Sequence, residues 1–261
     1  MATKKASKPR RTPVRGSSRA KVVGRRTSRT KARKARTGAA SRPARSDKRT
    51  IAIGEFAVRL RALLAEFPTL YAIWDKPEID PAFREELMVA VARQNDAPYC
   101  NWAHRTWAES MGASEQELAK IEASKLGTLA GRKRAALEYV RALASADFKR
   151  VPRELRARME SFYTPREIRH IELVAAVMDL VNRSANTYEA MLSRLQGKPG
   201  EKTRITDEMF FSSVFLTVAP PLVLLLARYS GRSFVDTTRS LVGYVQGHYA
   251  QKTTRPSPGS D

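Results

Sequence analysis

From Phe56 to Met191 the apolar residues recur every three or four positions, and no stretch of useful length alternates apolar with polar. A chain whose apolar stripes are all helical can close a core only by packing helix against helix. Phe56, Leu60, Leu63 and Leu64 form the first stripe, which Phe67-Pro68 ends. Leu70, Tyr71, Ile73 and Trp74 follow as a short apolar turn or helix, and residues 77–81 connect it onward. Residues 82–95 carry Phe83, Leu87 and Val91 on one face, with Glu85 on the same helix. Pro98 opens a helix to about Met111, which Gly112 stops. Ser114-x-x-Glu117 reads as a capping box opening a helix that ends near Gly127, and residues 131–146 form another amphipathic helix. Val151-Pro152 starts a short one. Thr164-Pro165-Arg166-Glu167 combines a cap, an N1 proline and a capping-box glutamate, and opens a long helix ending around Gly197. The expected fold class is all-α.

The charge is distributed unevenly. Of the 48 Lys and Arg that give the chain its net +22, residues 1–50 hold 19, against one acid, Asp47. Met1, Val14, Val22 and Val23 are the only large apolar residues there. Such a segment cannot bury enough surface to offset its chain entropy, so residues 1–50 are expected to be a disordered basic tail. A tail of this kind binds polyanions by counterion release, which makes non-specific nucleic acid an expected partner. No apolar run follows the first charges as in a signal peptide, and a single cysteine gives no sign of an oxidising compartment. The expected location is cytoplasmic. No metal-ligand spacing, phosphate-binding glycine loop or nucleotide motif appears, so no cofactor is expected.

The chemistry concentrates between Glu85 and His104. Cys100 is the sole cysteine of the chain. Pro98 places it in the first turn of a helix, where unpaired backbone N–H groups and the helix dipole favour an anion. His104 lies four residues on, one turn later on the same face. Glu85 comes from the preceding helix. These residues predict a thiol of depressed pKa assisted by an imidazole and a carboxylate. Tyr99 and Trp102 flank them as candidate pocket residues.

The spacing of Glu85, Cys100 and His104 resembles the E-x11-C-x2-C-x3-H motif of the AhpD-like alkylhydroperoxidase and carboxymuconolactone decarboxylase superfamily, with Ala97 in place of the first cysteine. The run "PAFREELMVAVARQNDAPYCNWAHRTWAESMGASEQEL" and the later "VAAVMDLVNRSANTYEAML" are similar to it as well, so that the resemblance covers roughly 51–197. It implies an AhpD-like helical bundle over 51–200 that assembles as a homo-oligomer. It also implies a thiol-dependent peroxidase, an antioxidant oxidoreductase with peroxiredoxin activity. In that role Cys100 attacks the peroxide, His104 takes its proton and Glu85 orients His104. Without the first cysteine, such a cycle needs an external thiol or a redox partner protein. The decarboxylase branch implies the alternative, acid–base lyase chemistry on a small organic substrate with His104 at its centre. A third reading is a non-catalytic helical oligomer that presents basic tails to nucleic acid.

Residues 201–261 lie beyond the resemblance and are expected to form a C-terminal helical extension. Met209 to Ala227 is uncharged and rich in Phe, Val and Leu, just long enough for a membrane span. Pro220-Pro221 is expected to break it into a helix–break–helix that packs on the domain or on a neighbouring subunit. Residues 232–249 read as a last amphipathic helix, with fraying from 251.

Overall fold

The long helix opened at Thr164 is the spine of the molecule. The computed structural model describes residues 48–199 and 202–254, all within one unit, Ala44–Asp261. Among these residues there are ten α-helices, one 3₁₀ turn at Leu126–Thr128 and no strand, so the protein is all-α. The helices are α1 Ile53–Ala65, α2 Phe67–Asp75, α3 Pro81–Gln94, α4 Pro98–Ser110, α5 Glu115–Glu122, α6 Gly131–Ser145, α7 Arg153–Glu160, α8 Pro165–Leu195, α9 Ile205–Ser230 and α10 Phe234–Thr254.

Helix α8 starts where its capping box places it. The Glu167 amide donates to Thr164 Oγ1 at 3.2 Å, and the Thr164 amide donates to Glu167 Oε2 at 2.7 Å. The Ser114 hydroxyl makes no such cap for α5, and the Glu117 carboxylate goes to Lys133, 2.5 Å away. Helix α3 is enclosed, buried continuously from Arg84 to Ala92, and α4, α6 and α8 pack around it. Leu87, Val91, Leu137, Val140, Ile171 and Val174 fill the space between them. Burying a side chain of this size stabilises the fold by about 1.5–3 kcal/mol.

The folded part begins before residue 50. Lys48 pairs with Glu189, and Arg49 donates to the carbonyls of Ala144 and Ser145. The Ile51 amide donates to Thr187 Oγ1 at 2.9 Å. The segment from Lys48 is therefore anchored to α6 and α8 rather than belonging to a free tail, because Lys48, Arg49 and Ile51 have partners that the sequence alone does not reveal. The expectation of disorder and polyanion binding otherwise falls on residues 1–47, outside the described residues.

Helix α9 corrects a second expectation, since Pro220 and Pro221 lie inside one continuous helix. The two prolines remove two helical hydrogen bonds. Packing along one side of the helix offsets that loss. Phe211 sits with Ile51, Leu180 and Phe56, its ring centroid 5.3 Å from that of Phe56. Phe215 stacks on Tyr188 at 4.2 Å, and Val223 and Leu226 pack on Trp102 and Ala103. Gly231, at φ 67°, ends the helix in the left-handed conformation that glycine adopts without strain. Helix α10 then returns across α4. Among the described helices α9 alone is long and apolar enough to cross a membrane.

Candidate acid–base site

Glu85 and His104 meet because a tight turn reverses the chain between α3 and α4. Asp96 takes φ 56° there, and the Ala97 amide donates back to the Ala92 carbonyl at 3.0 Å. Aspartate tolerates this conformation better than most side chains. Two asparagines hold the turn from below. Asn95 Nδ2 donates to Asp179 Oδ1 at 2.8 Å, and Asn186 Nδ2 donates to the Asn95 carbonyl at 2.8 Å. The reversal brings α4 back along α3, so that Glu85, near the start of α3, meets His104 in the second turn of α4.

The resulting dyad is short and oriented. His104 Nδ1 lies 2.7 Å from Glu85 Oε2. Arg84 Nε donates to the other oxygen, Oε1, at 3.1 Å, and Arg84 Nη1 donates to the Ile73 carbonyl. Burial pushes the Glu85 carboxyl up, but the hydrogen bond and charge of His104 and the charge of Arg84 outweigh it and hold the group below its ordinary value. Glu85 is thus an ionised acceptor that fixes the ring, and with Nδ1 engaged the reactive nitrogen of His104 is Nε2. The imidazole is only partly covered, its side chain 17% exposed, and its ring lies beside that of Trp107 at 6.1 Å.

Cys100 is on the same helix but in other company. It is 8% exposed and free, and no hydrogen bond joins it to His104 among the described residues. The expected depressed pKa is overturned. Burial, reinforced by the negative charge of Glu189 and only partly opposed by Lys48, pushes the thiol up to about 12. The first-turn amides of α4 contribute at most about 2 kcal/mol, too little to reverse this. Ala97, where the resembling family has its first cysteine, is buried at the N-cap.

Of the two candidate pocket residues, Tyr99 packs edge-on against Phe215 at 5.2 Å and against Tyr188, away from the dyad. Its phenol is raised to about 12 by burial and by the charge of Glu189. Trp102 is buried against Val223, Leu226, Leu241 and Tyr244, and its Nε1 donates to Ser240 Oγ at 3.2 Å. It anchors the C-terminal helices. Sequence reasoning missed Arg84, whose adjacency to Glu85 was a usable signal. It also missed Lys48, Glu189 and Tyr249, which converge from three distant segments. Glu189 accepts from both Lys48 and the Tyr249 hydroxyl. Two surface cavities of about 450 and 500 Å³ lie elsewhere, and neither is lined by Glu85, Cys100 or His104. Among the described residues no cluster of three His, Cys, Asp or Glu could hold a metal ion.

Fold and site together define an all-α protein with a preformed His–Glu dyad at the junction of two core helices. Comparison of the chain with protein-family models, with characterised proteins and with solved structures finds no match.

Proposed function

We propose that the chain is an acid–base enzyme acting on a small organic substrate, in the manner of the decarboxylase branch of the superfamily its motif resembles. His104 is the group that moves the proton, through Nε2, and Glu85 holds the ring. The observation that carries this reading is the 2.7 Å contact between His104 Nδ1 and an ionised, arginine-supported Glu85. A second reading, reduction of a peroxide by one cysteine, is favoured by the position of Cys100 one turn before His104 on α4. There the thiolate attacks the O–O bond, giving a sulfenic acid and an alcohol, and an external thiol restores the cysteine.

The two separate in one set of variants. Solvent-deuterium incorporation into a panel of lactones and keto acids, followed by NMR, tests proton transfer. His104→Ala should lower the rate by about 10²–10⁴-fold, the usual worth of a positioned acid–base group. Glu85→Gln should lower it less, and Cys100→Ser should leave it unchanged. Loss of exchange in Cys100→Ser, together with stoichiometric peroxide consumption by the wild type, would overturn the acid–base reading in favour of the thiol.

A further inference from the structure

Helix α9 buries one side and leaves the other bare. Phe211, Val223 and Leu226 face the protein, while Phe210, Val214, Leu216, Val218, Leu224 and Leu225 are each 40–63% exposed. No charged residue interrupts the helix between Glu208 and Arg228. A continuous apolar face of that length marks an interaction site rather than ordinary surface. The remainder of the chain cannot cover it. Outside the described residues, Met1, Val14, Val22 and Val23 are the only large apolar side chains.

The charges around the face turn one sign outward. Asp207 and Glu208, in the first turn, are buried. The Ile53 amide donates to Asp207 Oδ1 at 3.0 Å, and Arg194 Nε donates to Glu208 Oε2 at 2.6 Å. Beyond the other end, Asp236 pairs with Arg239 at 2.7 Å. Arg204, Arg228 and Arg232 are exposed at the two ends of the helix. Arg228 follows Leu224 by one turn and so closes the apolar face itself, with a stem long enough to carry its guanidinium to a headgroup phosphate. Residues 1–47 hold 17 Lys and Arg against Asp47 alone. An apolar face together with a polybasic segment is the pair of signals that holds a protein stably on an anionic bilayer. Nucleic acid answers the cations but has no apolar surface for Leu216 or Leu224. A second copy answers the apolar face but brings the same arginines and the same +22.

The prolines set the depth. Pro220 and Pro221 lack the N–H that the carbonyls of Leu216 and Thr217 would otherwise accept. Hydrocarbon would leave both carbonyls unpaired, so a crossing helix is disfavoured. An amphipathic helix instead lies about 5–10 Å into the boundary between headgroups and acyl chains, where water reaches such carbonyls. The packed side agrees, because Val223 and Leu226 tie α9 to Trp102 and Ala103.

We propose that α9 is an interfacial helix that lays its exposed face on an anionic lipid surface without crossing it. The inference is independent of the acid–base reading. The test is flotation of the full chain with vesicles of phosphatidylcholine alone and of phosphatidylcholine mixed with phosphatidylserine. Binding should be at least about tenfold stronger to the mixed vesicles. Phe210→Asp/Leu224→Asp should weaken it at least about tenfold with unchanged helical circular dichroism, since burying either side chain is worth about that factor. A fluorophore on Thr217→Cys, attached selectively because the native Cys100 is buried, should shift to the blue on the mixed vesicles. Lipids brominated near the headgroup should quench it more than lipids brominated at the chain end. A wild type that fails to float would overturn the proposal. Full binding by the double aspartate variant would also overturn it, by assigning the attachment to residues 1–47 alone. So would equal binding to phosphatidylcholine, or stronger quenching from the chain ends, which would make α9 a crossing helix. A blue shift without lipid, in a protein that sediments as a dimer, would give the face to a second copy instead.

Discussion

Helix α4 presents two polar side chains one turn apart, and each faces a buried carboxylate from another helix. The consequences are opposite. On the His104 side, Glu85 makes a direct hydrogen bond, and Arg84 supports its charge. On the Cys100 side, burial is the main cause that raises the thiol, and Glu189, whose hydrogen bonds go to Lys48 and Tyr249, adds a negative charge that Lys48 only partly opposes. A carboxylate activates a neighbour when it is hydrogen-bonded to that neighbour. When it is merely close, it suppresses ionisation of an acid.

The largest expected effect tests the suppressed side. A thiol raised to about 12 carries roughly 10³-fold less thiolate at pH 8 than a free thiol at about 8.5. Alkylation of Cys100 by iodoacetamide should therefore be about 10³-fold slower in the native protein than in guanidine. A native rate within tenfold of the unfolded one would remove the contrast between the two sides of α4.

The helical period exposed the fold, and the side chains of the dyad were legible too. Pro98 and Gly112 bracket α4 in the sequence as in the structure, and the capping box at Thr164 opens α8 as written. The i, i+4 spacing of Cys100 and His104 implied a shared site, whereas His104 bonds to Glu85 and Cys100 is buried in the core. What local reasoning could not supply was the electrostatic sign at Cys100. Its placement in a first turn argued for an anion, but the deciding groups are Glu189, 89 residues away in sequence, and the burial provided by tertiary packing. The prolines of α9 misled for the same reason. Propensity counts the lost hydrogen bonds, whereas Phe211, Phe215 and Leu226 offset them through contacts with residues far away in the chain. Lys48 was assigned to the tail by composition, and only its buried partner separates it from its basic neighbours.

The next effect in size concerns Lys48. Its ion pair with Glu189 is buried on both sides, with 11% and 7% of the two side chains exposed. Removing one member of such a pair leaves an uncompensated charge and costs about 3 kcal/mol. Lys48→Met should lower stability by that amount in guanidine denaturation, and adding Glu189→Gln should recover part of the loss. The recovery is the decisive reading, because a Lys48 that acted only by packing would give additive losses. The double variant should also alkylate faster at Cys100 than Lys48→Met, since it removes the charge that adds to burial in raising the thiol.

The smallest effect sharpens the comparison through pH, because the two sides of α4 respond to opposite ends of the scale. The Glu85 carboxyl is held below its ordinary value in the folded protein, so the unfolded chain binds more protons in acid. Its contribution is complete above the unfolded value and disappears as pH falls through the folded one. A charge-assisted hydrogen bond of this kind contributes about 2 kcal/mol. Glu85→Gln should thus be less stable than the wild type at pH 7, and the gap should narrow below about pH 4. Cys100 has the reverse sign. Its folded value is raised to about 12, so its contribution is complete below the unfolded value and declines as pH rises from about 8.5. The difference in melting temperature between wild type and Cys100→Ser should therefore be flat in acid and shift in favour of the serine variant in alkali. If both variants lost their difference at the same end of the scale, the two carboxylates would be acting alike, and the distinction between a bonded and a merely neighbouring carboxylate would not hold for this helix.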